Sequence, residues 1–258
     1  MDAECGISEN EDFKMFDTYV SIDLETTGLN PKRDKIIEIG AIRVEQGEIT
    51  GEFSTFVNPG RKLEERITEL TGIRDDDLAD APELDEVLPG LLKFMGELPL
   101  LGHSILFDYS FLKKAAVDRK LTFERSAVDT LKIARKYLQE LPHRNLEYLC
   151  QYYEIPHHAH RALEDAKATD LLYRKFVELF YEREKEEEAG GQSSENALFV
   201  PQPLHYQVKR DTPATKPQKE RLYRLMEQHK ITVEVDVEKL TRSEASRLAD
   251  KILAKYGR

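Results

Sequence analysis

Short apolar runs and amphipathic stretches alternate along the chain, and their periods predict its elements in order. Residues 19–29, Tyr-Val-Ser-Ile-Asp-Leu-Glu-Thr-Thr-Gly-Leu, open as an apolar, β-branched strand that stops at the turn Thr26-Thr27-Gly28. Ile36, Ile37, Ile39, Ala41, Ile42 and Val44 predict a second strand over 35–44, and Gln46-Gly47 turns it into a third over 48–57. Three strands joined by short turns read as a meander. Leu63, Ile67, Leu70 and Ile73 fall at helical spacing, an Asp-rich turn follows, and 84–95 takes up the helical period again. Residues 98–101 predict a short buried strand and 107–117 a helix with Asp108 in its first turn. Val128-Asp129-Thr130 opens a further helix through Leu138 with Asp129 as its N-cap, and Asn145 caps another over 146–153. A long helix over 161–188 turns Ala162, Ala166, Thr169, Tyr173 and Phe176 inward, and Gly190-Gly191 stops it. Small residues near Asp165 let it lie close to a sheet.

Beyond that helix the pattern changes. Residues 186–213 are polar and proline-bearing, the character of a linker. Residues 214–258 predict a helix with Leu222, Leu225 and Met226, a strand-like alternation of Ile231, Val233, Val235 and Val237, and a last helix behind the capping box Thr241-Arg-Ser-Glu244. The expected division is a leader (1–14), a main domain (15–185), a linker and a small C-terminal module.

Composition adds three constraints. At 258 residues and 40% hydrophobic, the chain can bury a full core plus a small second unit. The net charge is −11; residues 214–258 hold 11 Lys/Arg against 7 Asp/Glu, or +4, which leaves −15 for the rest. An acidic body meets a polyanion only if cations supply positive charge locally. Cys5 and Cys150 show no ligand spacing, which suggests a reducing compartment. The first twelve residues are acidic and lack a signal-peptide core, and no run reaches bilayer length, so a cytoplasmic protein is expected.

Successive strand side chains alternate faces, so Asp23 and Glu25 project together from the end of their strand. Gly102-His103-Ser104-Ile105-Leu106-Phe107-Asp108 sets a carboxylate just after a buried strand, and His160-Arg161-Ala162-Leu163-Glu164-Asp165 sets a histidine five residues ahead of another. Four carboxylates suit a pair of hard divalent cations, which can clamp an in-line phosphoryl displacement. His160 suits removal of a proton from the attacking water. Lys113, Lys114, Arg144 and Arg161 could meet substrate phosphates or simply face solvent; His103, His157 and His158 read as loop histidines.

In that order, Asp23-x-Glu25-Thr26-Thr27-Gly28, Gly102-His103-Ser104-x-x-Phe107-Asp108 and His160-x-x-x-x-Asp165-Ala166 resemble the three motifs of the DnaQ-like DEDDh exonucleases. They are also similar to the proofreading domains of bacterial DNA polymerase III. The resemblance spans about 16–181, with Thr71-Gly72-Ile73 and Val128-Asp129-Thr130 as landmarks between motifs. It implies an α/β, ribonuclease H-like fold, a mixed sheet flanked by helices, with a small helical appendage. It implies hydrolysis of nucleic acid from the 3′ end to nucleoside 5′-monophosphates, with two Mg²⁺ or Mn²⁺ ions on Asp23, Glu25, Asp108 and Asp165 and His160 as general base. Thr26 and Leu29 would meet the terminal nucleotide, with Phe107 beside its base. Ser104 departs from the family, which often has Asn there, and so bears on rate or substrate preference.

Single-stranded DNA 3′ ends are the expected substrate, with a polymerase or sliding clamp as partner; an exoribonuclease and a catalytically idle binding module are the alternatives. Glu195-Asn-Ala-Leu198-Phe199 is loosely similar to clamp-binding peptides but lacks their initial Gln, and reads better as an ordinary linker anchor touching the domain.

Overall fold

The computed structural model describes residues 16–157, 159–189, 198–208, 212–233 and 235–257. The expected leader, Cys5, His158, the stop at Gly190-Gly191 and the start of the 195–199 peptide lie outside them. Six strands form one mixed sheet in the order β3-β2-β1-β4-β5-β6. The meander is β1 (Tyr19–Thr26), β2 (Ile36–Glu45) and β3 (Glu48–Phe56), antiparallel throughout. β4 (Leu100–Gly102) then lies parallel to β1, and β5 (Ser126–Asp129) parallel to β4.

Alternation along β1 sorts its side chains between two cores. Val20, Ile22 and Leu24 enter the cluster shared with α3 (Leu84–Met95) and α4 (Leu106–Asp118), where Leu91, Met95, Tyr109 and Leu112 are buried. The opposite face belongs to α7 (Ala162–Ala189): the Tyr19 hydroxyl donates to Asp170 (2.6 Å) and the Ser21 hydroxyl to the Ala166 carbonyl (2.8 Å). Asp23 and Glu25 share this second face. β2, covered on both sides, is buried along most of its length.

Gly40, opposite Asp23 in the β1–β2 ladder, sets how near α7 comes. A Cβ there would stand 2.0 Å from the Ala162 carbonyl carbon and 2.0 Å from the Leu163 nitrogen, so only glycine admits the helix at this height.

Four elements differ from the sequence reading. The Asp-rich turn after α1 (Glu65–Thr71) is a short helix, α2 (Asp75–Ala79), whose first turn holds Asp75, Asp76 and Asp77 where the helix dipole favours them. Residues 126–129, read only as a helix start, form β5 before α5 (Thr130–Tyr137); four residues are too few for a period to show. Part of the expected linker closes the sheet as β6 (Gln202–Pro203), antiparallel to β5, after Phe199 has buried itself beside Tyr173 and Tyr181. Phe199 is thus an anchor of the sheet edge. The Ile231–Val237 alternation forms no strand among the described residues, where Val237–Lys239 is a single 3₁₀ turn. No strand lies beside it to pair its backbone, and Ile231, Val233 and Val237 instead pack on Leu222, Leu225 and Ala249.

α6 (Leu146–Tyr152) follows α5, and α8 (Lys216–His229) and α9 (Arg242–Tyr256) form the C-terminal module, each begun by a capping box, Thr215/Gln218 and Thr241/Glu244. The module has its own apolar cluster and touches the main body through the ion pairs Lys35–Glu244 (3.1 Å) and Lys239–Glu83 (3.1 Å). No helix among the described residues is long and apolar enough to cross a membrane.

Candidate active site

Three elements converge at the C-terminal end of β1. The strand supplies Asp23 and Glu25, the first turn of α4 supplies Asp108, and the first turn of α7 supplies Asp165. Carboxylate oxygens of Asp23, Glu25 and Asp165 all lie within 4.8 Å of one another. Asp108 is buried (3% exposed) and accepts the Leu24 backbone N–H at 3.0 Å, which locks it to β1 between the two strand carboxylates.

The charges in this cleft oppose one another. Burial, then Asp108, Asp165 and Glu25, hold the Asp23 carboxyl well above the usual range. Asp108 is raised by burial, against which its backbone hydrogen bonds act. Burial, then Asp165 and Glu38, push Glu25 up to about 8. A cluster of oxygens that resists carrying its own charge is a fit for hard divalent cations, which take oxygen ligands and neutralise the set.

His160 stands at the mouth, 43% exposed by its side chain, with Nδ1 3.9 Å from the nearer Glu25 oxygen. Its backbone lies in the left-handed region (φ 65°) and its N–H donates to Asp165 Oδ2 at 3.0 Å. The metal-ligand candidate and the base candidate are thus held by one hydrogen bond, at a backbone conformation that non-glycine residues adopt rarely and mostly for cause.

The remaining expected site residues lie at and just after the C-terminal ends of the parallel strands β1 and β4. The Thr26 hydroxyl donates to the Gly28 carbonyl (2.7 Å), shaping the turn that carries Leu29, which is 85% exposed. Phe107 packs on Phe111 with ring centroids 5.1 Å apart and the planes tilted by 55°. Ser104 has φ 73° and donates its N–H to Asp129 Oδ1 (2.9 Å), which also caps α5 at Leu131. His103 uses both ring nitrogens, on Thr130 (2.9 Å) and the Arg144 carbonyl (2.8 Å), and burial lowers its pKa. It is a loop histidine.

The four cations weighed for phosphates are engaged inside the protein. Lys113 holds the Phe123 carbonyl and Glu124, Lys114 holds Asp118, Arg144 binds the Leu138 and Gln139 carbonyls, and Arg161 binds Glu38.

Two residues that the sequence reading left outside the site touch it: His157, read as a loop histidine, and Glu38. His157 Nε2 is hydrogen-bonded to Asp165 Oδ1, so ring and backbone of two histidines occupy both oxygens of that carboxylate. Glu38, opposite Glu25 in the ladder and 2% exposed, accepts from Arg161 Nε and Nη2 (both 3.2 Å) and from the Ala162 N–H (3.3 Å), pinning the start of α7. Its signal was in plain view: a charged residue inside the apolar run Ile36-Ile37-Glu38-Ile39.

Comparison with known proteins agrees with this geometry. The profile of the RNase_T family, described as exonuclease, matches residues 20–173. The chain is 42% identical over 166 residues to the PolC-type DNA polymerase III of Caldanaerobacter subterraneus subsp. tengcongensis, covering 64% of this chain and 12% of that protein. The corresponding figures for the PolC-type DNA polymerase III of Thermotoga maritima are 37%, 63% and 12%, so the chain spans about an eighth of these relatives. Among solved structures, exonuclease X in complex with 5′ overhanging duplex DNA is 25% identical with a TM-score of 0.50, covering 63% of this chain and 93% of that one. The nuclease domain of 3′hExo, a DEDDh family member bound to rAMP, shares the fold at 21% identity and a TM-score of 0.54, over 64% of this chain and 93% of that one.

Proposed function

This chain belongs to the RNase_T exonuclease family, and we propose that it is a 3′–5′ enzyme of the DEDDh type that removes nucleotides one at a time from the 3′ end of single-stranded DNA, releasing nucleoside 5′-monophosphates. The observation that carries the reading is the carboxylate cluster itself, Asp23, Glu25 and Asp165 within 4.8 Å with Asp108 buried alongside.

Asp23, Glu25, Asp108 and Asp165 would hold two Mg²⁺ or Mn²⁺ ions. When bound, these supply a positive template for an in-line displacement, offsetting charge on the attacking and leaving oxygens. The protein's own groups do the rest. His160, open to solvent at the cleft mouth with Nδ1 3.9 Å from Glu25, takes the proton from the attacking water, and its backbone N–H bond to Asp165 anchors the residue beside the carboxylates. Thr26 and Gly28 hold the turn so that Leu29 meets the terminal nucleotide, and Phe107 offers a ring face to its base. DNA is favoured over RNA because the curated relatives are DNA polymerases, whose setting also makes a polymerase the favoured partner.

Release of mononucleotides from 5′-labelled single-stranded DNA and RNA, with Mg²⁺, Mn²⁺ or EDTA, tests this in wild type and Asp23→Ala. Stepwise shortening that requires metal, is faster on DNA and vanishes in the variant is the expected result. No shortening of either polymer with any metal would overturn it.

A further inference from the structure

The site lacks an obvious place for the strand that leads away from it. The body carries −15, and the nearby cations Lys113, Lys114, Arg144 and Arg161 are committed internally. A polyanion approaching this surface needs a positive ledge elsewhere.

The C-terminal module supplies one. On α9, Arg247, Lys251 and Lys255 recur every four residues and all are exposed. Like charges at this spacing repel, so the row costs the helix stability unless an anion lies on it. Two of the module's acidic groups are drawn away to other duties. Glu238 is taken by Lys219 (2.7 Å) and Tyr223 (3.0 Å), and Glu244 by its own cap and Lys35. Asp250 is the acidic residue left on that helix, and within the described residues neither Arg247 nor Lys251 has an ion-pair partner.

The module is also fixed where such a ledge is useful. Lys35, which pairs with Glu244, exchanges backbone contacts with Thr27: its N–H donates to the Thr27 hydroxyl (2.9 Å) and its carbonyl accepts the Thr27 N–H (2.8 Å). Thr27 is two residues beyond Glu25, so the start of α9 sits against the turn that presents Leu29, and exposed Lys32 and Arg33 lie on the same loop. At the far end the Tyr256 ring stacks on His229 and carries the Lys255 ammonium over it, which closes the row. A row of exposed cations suits the phosphates of a single strand.

We propose that the C-terminal module is a second nucleic-acid contact of the enzyme: a single strand leaving the cleft in the 5′ direction lays its phosphates along Lys32, Arg33, Arg247 and Lys251. This rests on the nuclease reading above and adds to it where the substrate is gripped.

The test uses the full chain and its variant Arg247→Ala/Lys251→Ala, both changes on an exposed face to a good helix former. Two readouts are compared. Binding of fluorescent oligothymidylate and oligouridylate in EDTA across a salt series should weaken about tenfold, and the slope of log K against log salt should drop by about 1.4, roughly 0.7 per lost phosphate contact. Hydrolysis of the p-nitrophenyl ester of thymidine 5′-monophosphate, which fills only the cleft, should be unchanged. Unaltered affinity and slope for both polymers, with ester hydrolysis intact, would overturn the proposal and leave the row as a solvated or protein-facing surface. Absence of ester hydrolysis in wild type would instead sink the nuclease reading, and the proposal with it.

Discussion

Two glutamates in this molecule are driven in opposite directions. Glu25, in the cleft, is raised to about 8 by burial and by the carboxylates of Asp165 and Glu38. Glu244 at the start of α9 is also partly buried, yet the Lys35 ammonium and the Thr241 cap overcome that burial and hold it down to about 2. The residue type is the same and the desolvation has the same sign; what differs is whether the fold supplies a cation. Around Glu244 the local preferences agree, with cap, ion pair and apolar face pointing to one structure. In the cleft the fold sets like charges together and leaves the cation to come from solution, as sites selected for chemistry do.

The largest expected effect separates these two designs. Glu25→Gln keeps the shape and removes the charge of a proposed metal ligand, and since losing even a residue that only supports a metal ligand costs about 10- to 100-fold, kcat should fall by about 10² or more. The same change should leave the metal-free protein no less stable at pH 7, where Glu25 is largely protonated, and more stable at pH 9. Rates of mononucleotide release and melting temperatures in EDTA at the two pH values check both halves. A variant that lost stability in EDTA at pH 9 would show that the cleft carboxylate was stabilising after all.

Titration draws the same contrast. Glu25's folded pKa lies above its unfolded value, so its contribution is fully present below about 4.5 and is lost as pH rises through about 8. In EDTA the melting temperature should therefore fall between pH 5 and pH 9. Saturating Mg²⁺ should flatten or reverse that fall, because the metal takes the deprotonated ligands. Glu244 behaves oppositely: its contribution is present above about 4.5 and is lost as pH falls toward 2. Mobility of the module, followed by hydrogen exchange in α9, should rise in that acid window.

A smaller effect tests the module alone. Glu244→Ala removes the reciprocal half of a capping box and a half-exposed ion pair. Box bonds of this kind are worth about 1 kcal/mol and exposed pairs a few tenths, so denaturant unfolding should register a loss of about 1 kcal/mol. Catalysis on a mononucleotide ester should not change.

How much was visible in the sequence follows the same division. Strand alternation put Asp23 and Glu25 on one face, and the three motifs gave Asp108, His160 and Asp165 a common destination, because each lies within a few residues of an element end that local pattern marks. What stayed hidden depends on contacts between distant segments. Glu38 and His157 matter through partners 123 and 8 residues away, and no period encodes such pairings. β6 is two residues long and exists only because β5 has an open edge. The valine alternation at 231–237 failed for the converse reason: the pattern of a strand was there, but no neighbour to pair with.

Ser104 brings the contrast down to a single backbone angle. Its φ of 73° lies in the left-handed region, where an L side chain is penalised and where Asn, with a short polar side chain that bonds locally, is tolerated better. The resemblance drawn from the sequence implies Asn at this position, and the strain gives a reason rooted in the backbone: the turn between β4 and α4 must bend this way to bring Asp108 under Leu24 while the residue 104 N–H reaches Asp129. Ser104→Asn should therefore stabilise the protein by roughly a few tenths of a kcal/mol, read as a small rise in denaturation midpoint with unchanged slope. If the backbone angle is all that matters, Ser104→Gly should relieve the strain as well, less the entropy glycine adds to the unfolded chain. Should Asn raise kcat where Gly does not, the side chain itself would be reaching into the cleft, and position 104 would move from the scaffold of the site to its substrate contacts.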